Sequence, residues 1–142
     1  MKFALFLLGA ALARAQDPFE IHVYEYETMH RGEYTLEAHL NYVGLGTKVA
    51  EGPVAPFNNQ FHMTGELTGG ITDFASLGFM FLGAVRPGGG GPDYAGWRLL
   101  PHLYIPRSWH LPLDLGLVAE FSFQPIPYEE NSRRVEIRPI LG

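Results

Sequence analysis

The sequence contains no cysteine among its 142 residues. Disulfide bonds are therefore excluded, although small exported domains often depend on them. No stretch reaches the ~18–20 consecutive apolar residues that a transmembrane helix needs, which excludes a helical membrane anchor. Asp and Glu (15) outnumber Lys and Arg (10), and no basic stripe is present, so we expect no nucleic-acid partner.

Glycine (17), proline (11) and aromatic residues (13%) are abundant. Long runs of the strong helix formers are missing after the first sixteen residues. This composition is typical of a β protein with many turns.

The first fifteen residues resemble a cleavable signal peptide in composition. Lys2 supplies a positive charge, an apolar run extends from Phe3 to Leu12, and Ala13-Arg14-Ala15 has the small-x-small pattern of a cleavage site. We therefore predict a signal peptide over residues 1–15 and export of the remaining chain. Residues 16–32 are predicted to be an N-terminal lead-in, part of which could form a short first strand.

Alternation of apolar and polar residues predicts β-strands in residues 33–142. The clearest run is Glu33 to Tyr42, in which a helix would scatter the apolar side chains around its whole circumference. Further runs cover Gln60 to Gly69, Ala75 to Ala84, Trp97 to Ile105 and Leu113 to Gln124, and a sixth begins near Arg133. We expect Pro101 to weaken or bulge the fourth strand. The predicted fold is all-β, an antiparallel up-and-down meander of about six long strands.

The predicted connections alternate in length. Gly44 to Asn59 and Val85 to Gly96 are long, Gly70 to Phe74 and Pro106 to Pro112 are short, and Pro125 to Ser132 is intermediate. Outer-membrane barrels combine short periplasmic turns with longer extracellular loops. The alternation therefore favours a membrane barrel.

Strand length and the positions of aromatic residues also favour a membrane barrel. Strands near ten residues match the ~9–11 residues with which a tilted strand crosses a bilayer. Tyr34 and Tyr42 at the ends of the first strand, and Phe121 and Phe123 in the fifth, lie where such barrels carry aromatic girdles. Alternation alone leaves a soluble barrel open, because there the apolar residues would fill the inside.

The polar positions of the strands would all point to one side, which in a membrane barrel is the lumen. The predicted lumen-facing residues are Glu37, His39, His62, Glu66, Arg98, Glu120, Glu136 and Arg138, with Asp114 in the same register.

Histidine and serine side chains are the candidates for a metal site or a catalytic site. A hairpin could bring together Glu37, His39, His62 and Glu66. We interpret this set as a polar network neutralised by Arg98 and Arg138, because no zinc-binding spacing is present, and we predict no metal or cofactor. The available serines lie outside any G-x-S-x-G elbow, so no catalytic residue is assigned; they are Ser76, Ser108, Ser122 and Ser132.

Three segments carry a family resemblance: FEIHVYEYE (19–27), YTLEAHLNYV (34–43) and LGLVAEFSF (115–123). They resemble stretches of bacterial outer-membrane β-barrel proteins. The resemblance implies that residues 33–142 are the N-terminal part of a barrel in a longer chain, but it brings no established chemistry.

The expected function is that of a pore or structural envelope protein in the bacterial outer membrane. Its expected partners are outer-membrane lipid and the export and barrel-assembly machinery, with the oligomeric state open. Two alternatives stay open: a membrane-embedded hydrolase of lipid or envelope substrates, and a soluble periplasmic ligand-binding β-barrel.

Overall fold

The computed structural model describes Phe19, Tyr26 and residues 29–142. The predicted signal peptide and most of the predicted lead-in, residues 16–18, 20–25, 27 and 28, lie outside the described residues.

Residues 29–142 form one antiparallel sheet of six strands in sequence order, so that each strand pairs with its neighbour along the chain. The all-β meander predicted from the alternation is confirmed, and strand boundaries move by five residues at most. The strands are β1 Tyr34–Val43, β2 Gln60–Thr72, β3 Ala75–Val85, β4 Pro92–Tyr104, β5 Leu115–Phe123 and β6 Arg133–Leu141. A short 3₁₀ helix, Arg107–Trp109, lies between β4 and β5.

The connections do not alternate in length as predicted. The β3–β4 loop is confined to residues 86–91, because Pro92 to Gly96 join β4. The β4–β5 connection covers residues 105–114 and is the longer of the two, since it contains the 3₁₀ helix. We call the end of the sheet with the β1–β2, β3–β4 and β5–β6 connections the loop end, and the opposite end the turn end.

β4 has a bulge near Gly96, and at Pro101 its pairing with β5 is weakened without a bulge. The β3–β4 register shifts between Leu82 and Gly83, opposite Gly96 and Tyr94, so one extra residue is accommodated there as a bulge. Gly96 has φ +136°, a conformation that L side chains rarely adopt. At Pro101 the β4–β5 ladder is interrupted without a change of register, as expected for a residue that has no N–H to donate.

The loop end is closed over by long-range contacts. The N–H of Ala55 in the β1–β2 loop donates to the carbonyl of Pro127 in the β5–β6 loop at 2.9 Å. Phe19 is 1% exposed, stacks on His62 of β2 with ring centroids 4.3 Å apart, and meets the Tyr128 ring edge-on at 5.8 Å. These contacts shelter one face of the sheet at the loop end.

Tyr26 occupies the opposite end of the same face. Its hydroxyl donates to the carbonyl of Ile105 at 2.7 Å, and its ring packs edge-on against Tyr104. Tyr26 and Phe19 both pack in a small apolar cluster of side chains from β3 to β6 that includes Met80, Leu82 and Leu100.

Candidate functional site: the charged face of the sheet

The sheltered face carries the charged side chains. The antiparallel pairing places residues of neighbouring strands opposite one another: Glu37 lies opposite Glu66, Glu66 opposite Met80, and Met80 opposite Arg98. On the other flank Glu120 lies opposite Glu136. A row of ionisable groups therefore crosses the sheet near the middle of its strands.

Glu120 is the centre of the charged row on β4, β5 and β6. It is 1% exposed, with Oε1 3.5 Å from Nε of the buried Arg98 and Oε2 3.1 Å from Nη1 of Arg138. A buried carboxylate is tolerated only when opposite charge offsets its lost hydration. Each oxygen of Glu120 meets that requirement with a different arginine.

The network continues along β6 towards the loop end. Arg138 also pairs with Glu136, whose other oxygen lies 2.8 Å from Nη2 of Arg134. Nη1 of Arg134 is 3.7 Å from Glu129 in the β5–β6 loop. Three arginines and three carboxylates thus alternate in this network, and their formal charges cancel.

The β1–β2 flank is acidic. His39 Nε2 lies 3.5 Å from Glu37 and 4.0 Å from Glu66, and Thr68 donates to Glu66 at 2.9 Å. Directly opposed like charges such as Glu37 and Glu66 destabilise a strand pair. His39, placed between them, offsets their repulsion when it is protonated.

His62 belongs to a different set of contacts. Its Nε2 lies 2.8 Å from the carboxamide oxygen of Gln60, whose amide group in turn donates to the carbonyl of Pro56. The Phe19 ring covers its face. The hairpin therefore brings together Glu37, His39 and Glu66, and His62 contacts Gln60 and Phe19.

The opposite face is apolar and exposed. Leu36 is 79% exposed, Leu67 52%, Phe81 54% and Ile137 67%. The residues on either side of Leu67 and Phe81 along their strands are buried. A water-soluble sheet has the reverse arrangement, with its apolar side chains on the sheltered face.

Aromatic residues concentrate at the two ends of this apolar face. The loop-end group comprises Tyr42, Phe61, Phe81, Tyr94, Trp97 and Phe123. At the turn end, Tyr34 lies on this face, and Phe74 and Trp109 are exposed in the neighbouring connections. Trp97 stacks between Phe79 and Phe123, at 6.4 and 6.3 Å. Aliphatic residues predominate between the groups, although Phe79 and Phe121 lie in one row with Leu67 and Leu99. The aliphatic residues are Leu36, Leu67, Leu77, Leu99, Leu117, Val135 and Ile137.

A polar cluster ties two loops together at the loop end. Asp93 accepts hydrogen bonds from Nε of Arg86 at 2.9 Å and from the Tyr128 hydroxyl at 3.2 Å, and the Arg86 guanidinium lies 5.7 Å from the Tyr128 ring centre. The hydrogen bond to Asp93 raises the pKa of Arg86. Partial burial raises the pKa of Tyr128 to about 12, against the opposing charge of Arg86.

The turn end repeats this arrangement. Arg107 pairs with Asp114 at 2.6 Å, and its guanidinium lies 5.0 Å from the Tyr26 ring centre. The hydrogen bond to Asp114 raises the pKa of Arg107.

The eight residues predicted to face the lumen all lie on the charged face. Sequence reasoning did not find Phe19 and Tyr26 as packing partners of that face, nor the loop cluster around Asp93. Alternation indicates which face a strand residue occupies, but it carries no information on contacts made by loops.

The described residues offer little for metal or serine chemistry. No group of three or more His, Asp or Glu side chains among them could hold a metal ion. Within residues 29–142, the only serine side chain with a hydrogen bond is that of Ser122, which reaches the carbonyl of Arg134 at 3.5 Å. Ser76 lies opposite His102 across β3 and β4, but no hydrogen bond joins them.

No protein-family model, curated protein or solved structure matches this chain. In the part of the chain that the structure describes, no helix is long and apolar enough to cross a membrane.

Proposed function

We propose that this chain forms part of a bacterial outer-membrane β-barrel that acts as a pore or a structural envelope protein. In this proposal the apolar face contacts lipid and the charged face lines the lumen. One observation carries it: the charged groups are on the sheltered face, beside a small apolar cluster, while most of the large apolar side chains of the strands are on the exposed face.

The exposed apolar face is more stable in contact with lipid than with water. In water the exposed apolar face would be unfavourable by about 25 cal/mol for each Å² left uncovered, and in lipid this cost disappears. Aromatic groups at both ends of an aliphatic zone fit the two membrane interfaces, where Trp and Tyr concentrate. The neutralised network around Glu120 fits a lumen, since it needs no bulk water to offset each charge.

The first experiment is fractionation of the full-length gene product, followed by electrophoresis of heated and unheated detergent extracts. We expect recovery in the outer membrane and a mobility that changes on heating, as for a folded membrane barrel. Recovery as a soluble periplasmic protein would contradict the proposal and favour a ligand-binding barrel.

Conductance in planar bilayers separates a pore from a structural protein. Glu37 lies on the charged face without an arginine partner in the described structure, so Glu37→Lys should shift ion selectivity away from cations. Glu51→Lys, in the β1–β2 loop, is the matched control and should change selectivity less. If the folded wild-type protein forms no channels, the protein is a structural envelope protein and not a pore. If Glu37→Lys conducts with unchanged selectivity, the lumenal position of Glu37 is contradicted.

A further inference from the structure

The loop end contains an open cavity of ≈ 670 Å³ between the β1–β2 and β3–β4 loops. Its polar lining comes from Lys48, Asn58, Asn59 and Arg86, and backbone of Gly88 and Gly89 completes the wall. No carboxylate side chain lies among its described lining residues. The cavity is therefore cationic, although the whole chain has a net charge of −5.

The two asparagines present their donor groups to a ligand. The carboxamide oxygen of Asn58 accepts the N–H of Gly46 at 3.2 Å, and that of Asn59 accepts the hydroxyl of Tyr42 at 3.1 Å. These hydrogen bonds use one lone pair of each oxygen and leave the NH₂ group of each side chain available as a donor to a ligand.

Arg86 is held in place before a ligand arrives. Its Nε and Nη2 contact Asp93, at 2.9 and 2.7 Å, and its guanidinium packs near Tyr128. Nη1 is not used in these contacts. Asp93 offsets part of the Arg86 charge, so Lys48 sets the surplus positive charge of the cavity.

We infer that this cavity binds a small anionic, hydroxyl-bearing solute, such as a sugar acid or a sugar phosphate. Carboxylate or phosphate oxygens accept from Lys48 and Arg86, and neighbouring hydroxyl oxygens accept from the asparagine NH₂ groups. The placement of this cavity at the mouth of a pore rests on the proposed function, whereas the binding of the solute to the cavity does not.

The test is a titration of the ¹⁵N-labelled full-length gene product with glucuronate, using glucose as the neutral analogue, at constant ionic strength. Glucuronate should shift the amide signals of Gly88 and Gly89 and the side-chain NH₂ signals of Asn58 and Asn59. Glucose should bind at least about tenfold more weakly, because it lacks the charge-assisted hydrogen bond.

The variants locate the site. Lys48→Gln should weaken glucuronate binding about tenfold, and Arg86→Gln should also weaken it. Arg107→Gln is the matched control, because Arg107 has the same kind of Asp and Tyr contacts at the opposite end of the sheet; it should leave binding unchanged. Lys48 is exposed in a loop, so its substitution should not disturb folding.

Equal binding of glucose and glucuronate, no binding of either, or an equal loss in Arg107→Gln would overturn the inference. A lipid phosphate offers similar charge, so the variants are also tested with vesicles containing lipopolysaccharide. Lys48-dependent binding to those vesicles without glucuronate binding would overturn the assignment to a soluble solute. Heat-dependent mobility is measured on the same samples. An absence of glucuronate binding is thereby distinguished from an absence of a folded membrane barrel.

Discussion

At the scale of single residues, Glu120 is the most deeply buried carboxylate among the described residues. It is enclosed between Arg98 and Arg138 on the sheltered face. Removing one partner of such a buried group usually costs more than the intact interaction contributes, because the remaining charge stays dehydrated.

Glu120→Gln should therefore destabilise the folded protein by about 3 kcal/mol. Glu130→Gln, on an exposed loop residue, should change stability by less than ~0.5 kcal/mol. The measurement is the urea dependence of the heat-sensitive mobility in detergent. Equal stability of the two variants would show that Glu120 is not confined between the arginines.

Tyr128, in the β5–β6 loop, makes the stability of the folded protein depend on pH. Its pKa is raised from 10.0 to about 12 in the folded protein, so folding favours the protonated hydroxyl. The resulting stabilisation is fully present below pH 10 and is lost as the pH rises from 10 through 12. Tyr128→Phe should lose less stability than the wild type over this interval, as followed by urea unfolding at each pH; parallel losses would contradict the assignment.

At the scale of secondary-structure elements, the bulge in β4 depends on Gly96. An added Cβ would lie 2.2 Å from the carbonyl oxygen of Phe123, and φ is already +136°. Both the contact and the backbone conformation therefore oppose any side chain at this position.

Gly96→Ala should destabilise the protein by about 2–3 kcal/mol. Gly65→Ala is the matched control, because nothing lies within 4 Å of its added Cβ, and it should be neutral or slightly stabilising. Urea unfolding of both variants checks the comparison, and similar midpoints would indicate that β4 has no bulge at Gly96.

β1, β2 and β5 could be predicted because apolar and polar residues alternate over nearly their full length. The start of β4 could not be predicted, since the bulge breaks the alternation between Tyr94 and Trp97. The positions of the charged residues followed from the same periodicity. The partners of these residues could not be predicted from the periodicity, because the pairing of Glu120 with both Arg98 and Arg138 depends on how far side chains extend across neighbouring strands.

At the scale of the whole molecule, the exposed apolar face distinguishes lipid from water as its surroundings. Leu67 lies near the middle of this face. In water, replacing a half-exposed leucine by a charged residue would change stability by only about 0.5 kcal/mol.

Leu67→Arg should cost about 2–4 kcal/mol if the face is in contact with the bilayer centre. We therefore expect reduced recovery of the heat-shifting form from the outer membrane. Leu45→Arg, in the β1–β2 loop, should be recovered like the wild type. Equal recovery of both variants would place Leu67 outside the hydrocarbon region.

The contact between Ala55 and Pro127 has a consequence for the order of folding. Every strand pairs with its immediate neighbour in sequence, so each hairpin closes only a short segment of chain and can form early. The Ala55–Pro127 hydrogen bond joins loops from distant parts of the sequence and requires the last hairpin to be in place. The amide of Ala55 should thus become protected from hydrogen exchange only after the hairpins have formed.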